Sequence, residues 1–590
     1  RNNSLFTTMM MMLRKSFRYT TSNITRRSIG SIADRCDKHV VPSPYESIPM
    51  TDSRTVPDFI LKEWEKTNAF NNLDTNQKIA IIDGSTGMQR SYHDWYHDTH
   101  GLASTFSDLV PSNTSVCVLA PNHVDYLPTL LAVGLCNLKV TPVNPLSTAQ
   151  EVKTVLERSQ SSVLIAHPKT LTVALEAATG SNIKQVVVMN VRGDMPDVLP
   201  EGVVGLDSLK QQLKYDKTVF QQKEVDTARD PFLLPYSSGT TGLPKGVCLT
   251  HSNIVSNLHQ FDIIERVGWP KGEPLLSPLP FFHIYGLTVS LLYSAWRGNP
   301  IITLSGGFDL PLFLQLAQDH GPTRAHLVPP ILLALAQHPI IDKYDLSSIK
   351  AILSAAAPLS KEIAQKVQER LDGVIVKQGW GMSELSPIGT FQADADVTKV
   401  GSVGALVSNT LGKIIDEEGN SLGSEEPGEL CIKGPQVMMG YYQDPEKTAE
   451  CLSDSGWLRT GDMVQYDDDG HFYITDRMKE LIKVRGYPVA PAELEGLLLK
   501  HPSVSDVAVI PKPSEQHGEL PRAYVVLKGG DDSTITEQEL YDWVKPQVAS
   551  YKKLDGGIVF VEQIPKSASG KILRRVLRDE FKQQEEQAQA

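Results

Sequence analysis

The length, composition and charge of the chain limit its class before any motif is considered. A chain of 590 residues is too long for one small core, so two or more domains are expected. Hydrophobic residues make up 41% and charged residues 21%, an ordinary balance for a globular protein. The formal net charge of -12 gives no general electrostatic reason to bind nucleic acid or an anionic membrane.

The cysteines and the apolar runs argue against further classes. The six cysteines are scattered and include no Cys-x-x-Cys pair, which disfavours a disulfide framework or a zinc site and favours a reducing compartment. No apolar run reaches the roughly eighteen residues that a membrane-spanning helix needs. We therefore expect no membrane span and no nucleic acid partner.

The first 33 residues differ in composition from the rest of the chain. They contain six basic residues and ten Ser or Thr, and the first acidic residue is Asp34. A segment rich in Arg and Ser and free of acids is typical of a mitochondrial import presequence. We therefore expect residues 1–43 to be a leader and the protein to be mitochondrial. The alternatives are a disordered tail, or translated sequence upstream of the true start, on a cytoplasmic protein. Ala588-Gln589-Ala590 is not a peroxisomal Ser-Lys-Leu signal.

Strand-like and helix-like segments alternate from about residue 56 to residue 473. Short apolar or β-branched runs predict buried strands at residues 115–119, 162–166, 185–189 and 350–354. Amphipathic patterns predict helices at residues 149–159 and 361–371. This alternation predicts an α/β fold with parallel β-sheets layered with helices.

The composition changes near Asp476, where a second unit is predicted. Beyond it the sequence indicates a helix starting at Ala490, strands at residues 505–510 and 523–527, and a basic C-terminal helix. We interpret residues 44–475 as a large N-terminal domain and residues 476–590 as a small α+β domain.

A loop rich in glycine and hydroxyl groups follows an apolar run at residues 231–234. Its residues are Ser237, Ser238, Gly239, Thr240, Thr241, Gly242, Leu243, Pro244 and Lys245. Glycines permit close backbone approach to a ligand, and the hydroxyls and the lysine supply donors for several phosphate oxygens. The loop is therefore predicted to bind a polyphosphate. It is not a Walker A loop, because Gly246 follows Lys245 where that motif requires Ser or Thr.

Four further motifs follow the loop along the chain. They are Gln378-Gly379-Trp380-Gly381-Met382-Ser383-Glu384, Trp457-Leu458-Arg459-Thr460-Gly461-Asp462, the segment Asp476–Glu495, and Ile564-Pro565-Lys566-Ser567-Ala568-Ser569-Gly570-Lys571-Ile572. With the loop, they resemble the signature motifs of the adenylate-forming superfamily, which includes acyl-CoA synthetases, 4-coumarate–CoA ligases and firefly-type luciferases. The resemblance extends from about Val56 to Leu577.

The resemblance implies an enzyme that activates a small-molecule carboxylic acid with ATP, CoA and Mg²⁺. In such an enzyme, the nucleotide is bound by the loop, by residues Gln378 to Ser383, and by Asp462 and Arg477. Glu384, with Thr241, holds Mg²⁺, which prefers hard oxygen ligands. Lys571 occupies the position of the family's adenylation lysine. Lys483 occupies the position of the lysine that the family uses for thioester formation. Lys479 falls at the hinge about which the small domain moves.

The resemblance also implies an acyl pocket. The motif sequences are most similar to those of 4-coumarate–CoA ligases. His283 matches the pocket histidine near the carboxylate. The other pocket positions are Tyr285, Thr288, Leu353, Ala355, Ala356, Gly379, Gly381, Pro387 and Ile388. Thr288 replaces an asparagine of the plant pattern, Leu353 a lysine and Ala355 a glycine. Apolar pockets discriminate weakly, so either an aryl or a medium-chain acyl carboxylate is expected.

Two other functions are compatible with these motifs. A luciferase-type oxygenase shares every nucleotide motif, and a non-catalytic nucleotide-binding paralogue keeps the fold. The sequence Phe282-His283-Ile284-Tyr285 favours a CoA ligase. The non-catalytic paralogue is disfavoured because the chain retains Lys245, Glu384, Asp462 and Lys571. We therefore predict a ligase that forms an acyl-AMP with release of pyrophosphate and then transfers the acyl group to CoA.

Overall fold

The computed structural model describes residues 39–49, 52–66, 78–210, 220–237, 244–478, 480–485, 487–514, 516–528, 535–567 and 570–589. Most of the predicted leader lies outside these ranges, and Val41 and Pro42, near its end, form the first strand. In the described ranges, no helix has the length and apolar character needed to cross a membrane.

Strands of the described ranges form four sheets. In chain order they are β1 (Val41–Pro42), β2 (Ile79–Asp83), β3 (Gln89–Ser91), β4 (Ser115–Leu119), β5 (Lys139–Val143), β6 (Ser161–Ala166), β7 (Gln185–Val188), β8 (Val203–Gly205), β9 (Pro231–Leu233), β10 (Tyr236–Ser237), β11 (Lys245–Thr250), β12 (Leu275–Leu276), β13 (Ile301–Thr303), β14 (Arg324–Leu327), β15 (Ala351–Ser354), β16 (Ile375–Gly381), β17 (Ile388–Phe391), β18 (Ala405–Leu406), β19 (Leu411–Ile415), β20 (Ser421–Leu422), β21 (Gly428–Lys433), β22 (Gly440–Tyr441), β23 (Leu458–Tyr466), β24 (Phe472–Arg477), β25 (Ile482–Val484), β26 (Tyr487–Val489), β27 (Val504–Ser514), β28 (Gly518–Leu527) and β29 (Ile558–Phe560).

The α-helices connect and cover these strands. In chain order they are α1 (Val56–Lys66), α2 (Tyr92–Leu109), α3 (Tyr126–Leu135), α4 (Ala149–Ser159), α5 (Leu171–Ala178), α6 (Leu206–Lys210), α7 (His251–Glu265), α8 (Tyr293–Arg297), α9 (Leu310–His320), α10 (Pro329–Gln337), α11 (Lys361–Arg370), α12 (Pro445–Cys451), α13 (Pro491–Leu498), α14 (Glu537–Val544) and α15 (Arg574–Gln589).

Two nine-stranded sheets form most of the N-terminal domain. The first has the order β10-β11-β9-β5-β4-β6-β7-β8, with β22 paired to β11. The second has the order β18-β17-β16-β15-β14-β12-β13-β2-β3. The central strands of both are parallel. Every residue of β4 and β6 is buried, as expected for strands covered on both faces.

The predicted helix at residues 149–159 illustrates how the sequence sets local boundaries. The Thr148 side chain accepts from the Glu151 N–H, and the Glu151 side chain returns the contact, which forms a capping box that starts α4. Gln160 ends the helix in a left-handed conformation with φ 55°. The helix therefore has the predicted bounds.

A third sheet, which the sequence analysis did not predict, is antiparallel throughout. Its order is β1-β19-β21-β23-β24, with β20 paired to β19. Asp462 on β23 faces Arg477 on β24 as a register partner. This sheet therefore brings two of the predicted nucleotide-binding residues together.

The C-terminal domain has its own sheet and core. The sheet has the order β26-β25-β28-β27, with β29 paired to β28, and the predicted strands lie in β27 and β28. Its core includes side chains from α13, α14 and all five strands of the sheet. The large N-terminal and small C-terminal domains agree with the predicted α/β architecture.

Candidate active site

The two ends of the predicted phosphate loop lie side by side. Ser237 pairs with Lys245 across the antiparallel strands β10 and β11, which brings the first and last residues of the predicted loop next to each other. The Arg158 guanidinium donates to the Pro244 carbonyl over 2.8 Å and fixes the end of the loop next to Lys245. Ser238, Gly239, Thr240, Thr241 and Gly242 lie outside the described residues, and their phosphate contacts stay a prediction.

The segment Gln378–Ser383 lies where parallel strands of the second sheet end. Ser354 on β15 is the register partner of Gln378 on β16. Ligands of open α/β sheets bind outside the carboxyl ends of the strands, so this is the expected edge for a nucleotide. Gly381 packs directly on Pro387: a Cβ at residue 381 would lie 2.0 Å from the Pro387 carbonyl oxygen. Only glycine fits there.

Asp462 is held by two side chains that the sequence assigned to the nucleotide. Trp380 Nε1 donates to Asp462 Oδ2 over 3.0 Å, and Arg477 Nε lies 3.4 Å from Oδ1. Asp462 is only 3% exposed, and burial raises the pKa of its carboxyl above the usual value, opposed by Arg477. A carboxylate held in this way suits the two hydroxyls of a ribose.

Glu384 is a buried carboxylate with a neutral hydrogen-bond partner. It is 7% exposed, and the Tyr441 hydroxyl donates to its Oε1 over 2.8 Å. No ion pair among the described residues includes Glu384. A buried carboxylate is costly without a cation, and carboxylate oxygens are the ligands that Mg²⁺ prefers. Glu384 therefore fits the predicted metal ligand, whereas Thr241 lies outside the described residues.

Lys571 lies at the junction of the two domains, close to these groups. The preceding Gly570 packs against Pro330 and Val328 of the N-terminal domain. Although the side chain remains accessible to solvent, its partial removal from water and the nearby Arg477 lower the pKa of Lys571 to about 8, opposed by Asp462. The predicted adenylation lysine thus shares one site with the predicted ribose carboxylate.

His283 faces the same site and is neutral at neutral pH. Burial lowers the pKa of its imidazole to about 4, and Lys571 contributes to this shift. The Tyr285 N–H donates to Nδ1 over 3.3 Å, so the ring proton of the neutral form belongs on Nε2.

Asn122 holds the His283 loop and was missed by the sequence analysis. Its Nδ2 donates to the Leu279 carbonyl over 2.9 Å and to Thr303 Oγ1 over 2.7 Å. Its Oδ1 accepts from the Phe281 N–H over 2.7 Å. These partners lie far along the chain from Asn122. The available signal was the position of Asn122 just after β4, at the carboxyl end of a parallel strand.

The predicted acyl-pocket residues come from three separate segments. Tyr285 and Thr288 lie on a buried π-helical segment, Tyr285–Leu292. The Tyr285 hydroxyl donates to the Leu353 carbonyl over 3.3 Å, which joins this segment to β15. Ala355 and Ala356 follow β15, with Ala356 at φ 73°, and Pro387 and Ile388 lie at the start of β17.

The structure does not bring Lys483 into this site. It is exposed on β25 of the C-terminal domain, where its N–H donates to Glu519 Oε2 over 2.7 Å. Lys479, the predicted hinge residue, lies outside the described residues. On each side of it, the Met478 N–H donates to Gly461 and the Glu480 N–H to Arg477.

Two sequence models of known protein families match this chain. The sequence model described as AMP-binding enzyme matches residues 71–442, and that of the AMP-binding enzyme C-terminal domain matches residues 493–571. The chain is 37% identical over 559 residues to probable 4-coumarate–CoA ligase 1 of Dictyostelium discoideum, covering 91% of this chain and 97% of that protein. It is 38% identical over 519 residues to 4-coumarate–CoA ligase 1 of Solanum tuberosum, covering 86% and 92%.

Solved structures have the same fold. ATP-bound MatB from Rhodopseudomonas palustris superposes with a TM-score of 0.76 at 25% identity, covering 90% of this chain and 99% of that one. The anthranilate–CoA ligase AuaEII, in complex with anthranoyl-AMP, superposes with a TM-score of 0.79 at 22% identity, covering 91% and 98%. From the family-model matches and the sequence identity to its relatives, the chain belongs to the family of AMP-binding enzymes.

Proposed function

We propose that this chain is an ATP-dependent carboxylate–CoA ligase of the AMP-forming type. It activates an aryl or medium-chain acyl carboxylate as acyl-AMP, releases pyrophosphate, and transfers the acyl group to CoA. The main support for the proposal is that Lys571 lies close to Asp462 and Arg477 at the junction of the two domains. The curated relatives, at 36–38% identity, are named as 4-coumarate–CoA ligases.

The first half-reaction brings a carboxylate to the α-phosphate of ATP. Its main barrier is the repulsion between these two anions. Preorganised cations and donors stabilise such a transition state. Lys571 would bridge the carboxylate and α-phosphate oxygens, while Asp462 accepts from the ribose hydroxyls. Neutral His283, with its proton on Nε2, would donate toward the carboxylate without adding a second positive charge.

The leaving pyrophosphate would be bound by Lys245 and the loop that precedes it. Glu384 and Thr241 would hold Mg²⁺, which would neutralise charge on the phosphate oxygens. For the second half-reaction, the C-terminal domain would turn about Lys479, so that Lys571 leaves and Lys483 enters. A hinge motion of this kind explains why two lysines with different surroundings serve one enzyme.

The test is a pyrophosphate-release screen across acids that differ in chain length and ring content, with and without CoA. We expect release with at least one aryl or medium-chain acid, and a CoA thioester only when CoA is present. Light emission with luciferin would favour the oxygenase, and no ATP consumption with any acid would favour the non-catalytic paralogue. Either result would overturn the proposal.

A mitochondrial location is proposed from the composition of residues 1–33 alone. The test is to image the full chain fused to a fluorescent protein at its C-terminus. Replacing Arg14, Arg18, Arg26 and Arg27 by Gln is expected to abolish mitochondrial import. A uniform cytoplasmic signal from the unaltered chain would contradict the proposal.

A further inference from the structure

Tyr441 contacts two residues that the proposed function assigns to ATP chemistry. Its hydroxyl donates to Oε1 of Glu384 over 2.8 Å. Lys245 Nζ lies 4.8 Å from the centroid of the same ring, within the range of a cation–π contact. One side chain therefore touches both the candidate metal ligand and the lysine of the phosphate loop.

The backbone on both sides of Tyr441 is bonded to the segments that carry these two residues. The Met438 N–H donates to the Glu384 carbonyl over 2.8 Å. The Tyr442 N–H donates to the Gly246 carbonyl over 2.7 Å, next to Lys245. Tyr441 therefore has a fixed position relative to both partners.

Gly440 and Thr448 fix the conformation of Tyr441 itself. Gly440 has φ 148°, and a Cβ there would lie 2.8 Å from Thr448 Cγ2 and 3.0 Å from Oγ1. This close approach lets Thr448 Oγ1 accept from the Tyr441 N–H over 2.8 Å. The positive φ and this close contact both favour glycine at the residue before Tyr441.

The chemistry of the contact leaves the charge of Glu384 available. A phenol is a neutral donor, so it orients the carboxylate without neutralising it. An arginine or lysine in the same place would satisfy the carboxylate and compete with a metal ion. The phenol occupies only one lone pair of the carboxylate, so the remaining lone pairs would be available to a cation.

We propose that Tyr441 is a positioning residue for the metal ion and the ATP phosphates. Its hydroxyl fixes the Glu384 carboxylate for a divalent cation, and its ring holds the Lys245 ammonium beside the phosphate loop. The inference rests on the proposed function, since it assigns Glu384 and Lys245 their roles. It adds a link between the metal ligand and the phosphate loop.

The test compares Tyr441→Phe with Tyr442→Phe. Both remove one phenol oxygen, but the Tyr442 hydroxyl pairs with Gln160 Oε1 over 3.0 Å and touches neither Glu384 nor Lys245. Binding of Mn²⁺ in the presence of ATP, without acid or CoA, is measured from the electron paramagnetic resonance signal of free Mn²⁺. We expect Tyr441→Phe to weaken Mn²⁺ binding about tenfold, the size expected for one hydrogen bond to a charged group, and Tyr442→Phe to leave it unchanged.

Two further readouts separate positioning from a general loss of structure. Excess Mg²⁺ is expected to restore pyrophosphate exchange in Tyr441→Phe, so that the Mg²⁺ requirement rises while the rate at saturating Mg²⁺ is kept. Tyr441→Leu, which also removes the ring, is expected to weaken metal-free ATP binding as well, because Lys245 loses its contact.

Equal Mn²⁺ affinity in wild type and Tyr441→Phe would overturn the inference and leave the proposed function intact. Equal weakening in the Tyr441 and Tyr442 variants would also overturn it, because the effect would then come from local packing. If the wild-type protein binds no ATP and releases no pyrophosphate with any acid, the proposed function itself fails.

Discussion

At the scale of single residues, Lys571 and His283 differ in charge at neutral pH. Partial burial and Arg477 lower the pKa of Lys571 to about 8, so the amine still carries a proton at pH 7. Burial and Lys571 lower the pKa of His283 to about 4, so the imidazole is neutral at the same pH. These two residues therefore present one cation and one neutral donor to a carboxylate, an arrangement that attracts the anion without requiring a proton transfer.

Replacing Lys571 by Ala should separate the two half-reactions. We expect Lys571→Ala to slow acid-dependent pyrophosphate exchange by about a hundred- to a thousand-fold, because the charge that stabilises the transition state is lost. Thioester formation from preformed acyl-adenylate and CoA should remain within a few-fold of wild type. Equal losses in both assays would contradict this division of labour.

The lowered pKa of Lys571 predicts a pH dependence of the first half-reaction. Below pH 8 the amine is protonated and active, and above pH 8 it loses the proton and the charge. We therefore expect kcat/KM for adenylation, which reports the free enzyme, to fall above about pH 8. Lys571→Arg should be slower throughout but should lack this decline, because arginine stays protonated. The same decline in both proteins would assign it to another group.

At the scale of elements, the β25–β26 hairpin carries a lysine that the described site does not use. Lys483 is exposed on β25 and pairs in register with Pro488 on β26. We expect Lys483→Ala to keep pyrophosphate exchange within about twofold and to slow thioester formation from acyl-adenylate by about tenfold or more, the loss expected for one charged contact. The two half-reactions are assayed separately, and normal thioester formation would remove Lys483 from the mechanism.

Helix α13 contains a glycine whose replacement should stabilise the protein. A Cβ at Gly496 would have no atom within 4 Å, so it meets no steric obstacle. Because glycine in a helix costs about 0.5–1 kcal/mol relative to alanine, Gly496→Ala should raise the free energy of unfolding by about that amount. Denaturant unfolding measures it. Gly381→Ala, which forces a Cβ onto the Pro387 carbonyl, should be destabilising in the same assay.

Elements with a strong local signal were predictable from sequence. The run at residues 115–119 has the bounds of β4, and the capping box at Thr148 and Glu151 starts α4. The antiparallel sheet was missed because strands such as β23, with the sequence LRTGDMVQY, contain no run of apolar or β-branched residues. The π-helical segment Tyr285–Leu292 was missed because its composition is that of any buried helix.

The candidate site was predictable where its residues lie in one segment. The motifs indicated the chemistry of Asp462 and Lys571, but pairing across strands decided that Arg477 faces Asp462. Tyr441 was missed because its partner Glu384 is 57 residues away and no local pattern links a tyrosine to a distant carboxylate. Contacts between distant segments depend on the fold, and a single sequence does not reveal them.

At the scale of the whole molecule, the structure presents the arrangement suited to the first half-reaction. Lys571 lies near Asp462, and Gly570 packs against Pro330 of the N-terminal domain. Sequence motifs predicted two lysines with separate tasks, but not which of them would occupy the site. In the proposed hinge motion, the balance between the two domain arrangements would depend on contacts made in only one of them.

The contact that we expect this motion to break is the ion pair between Lys500 of the C-terminal domain and Glu362 at the start of α11, at 3.0 Å. Lys500 and Glu362 are 50% and 42% exposed, and an exposed pair contributes at most about 1 kcal/mol, or roughly fivefold in an equilibrium. We expect Lys500→Glu to slow pyrophosphate exchange about two- to fivefold, because two carboxylates then oppose the arrangement. Thioester formation from acyl-adenylate should be unchanged or faster.

The double variant Glu362→Lys with Lys500→Glu supplies the control, because it restores opposite charges with their positions exchanged. Pyrophosphate exchange in the double variant should return toward the wild-type rate, and the effect of Lys500→Glu should shrink at high ionic strength, since exposed charges are screened. If the double variant is as slow as Lys500→Glu alone, the loss comes from Lys500 itself. The ion pair would then have no part in the domain equilibrium.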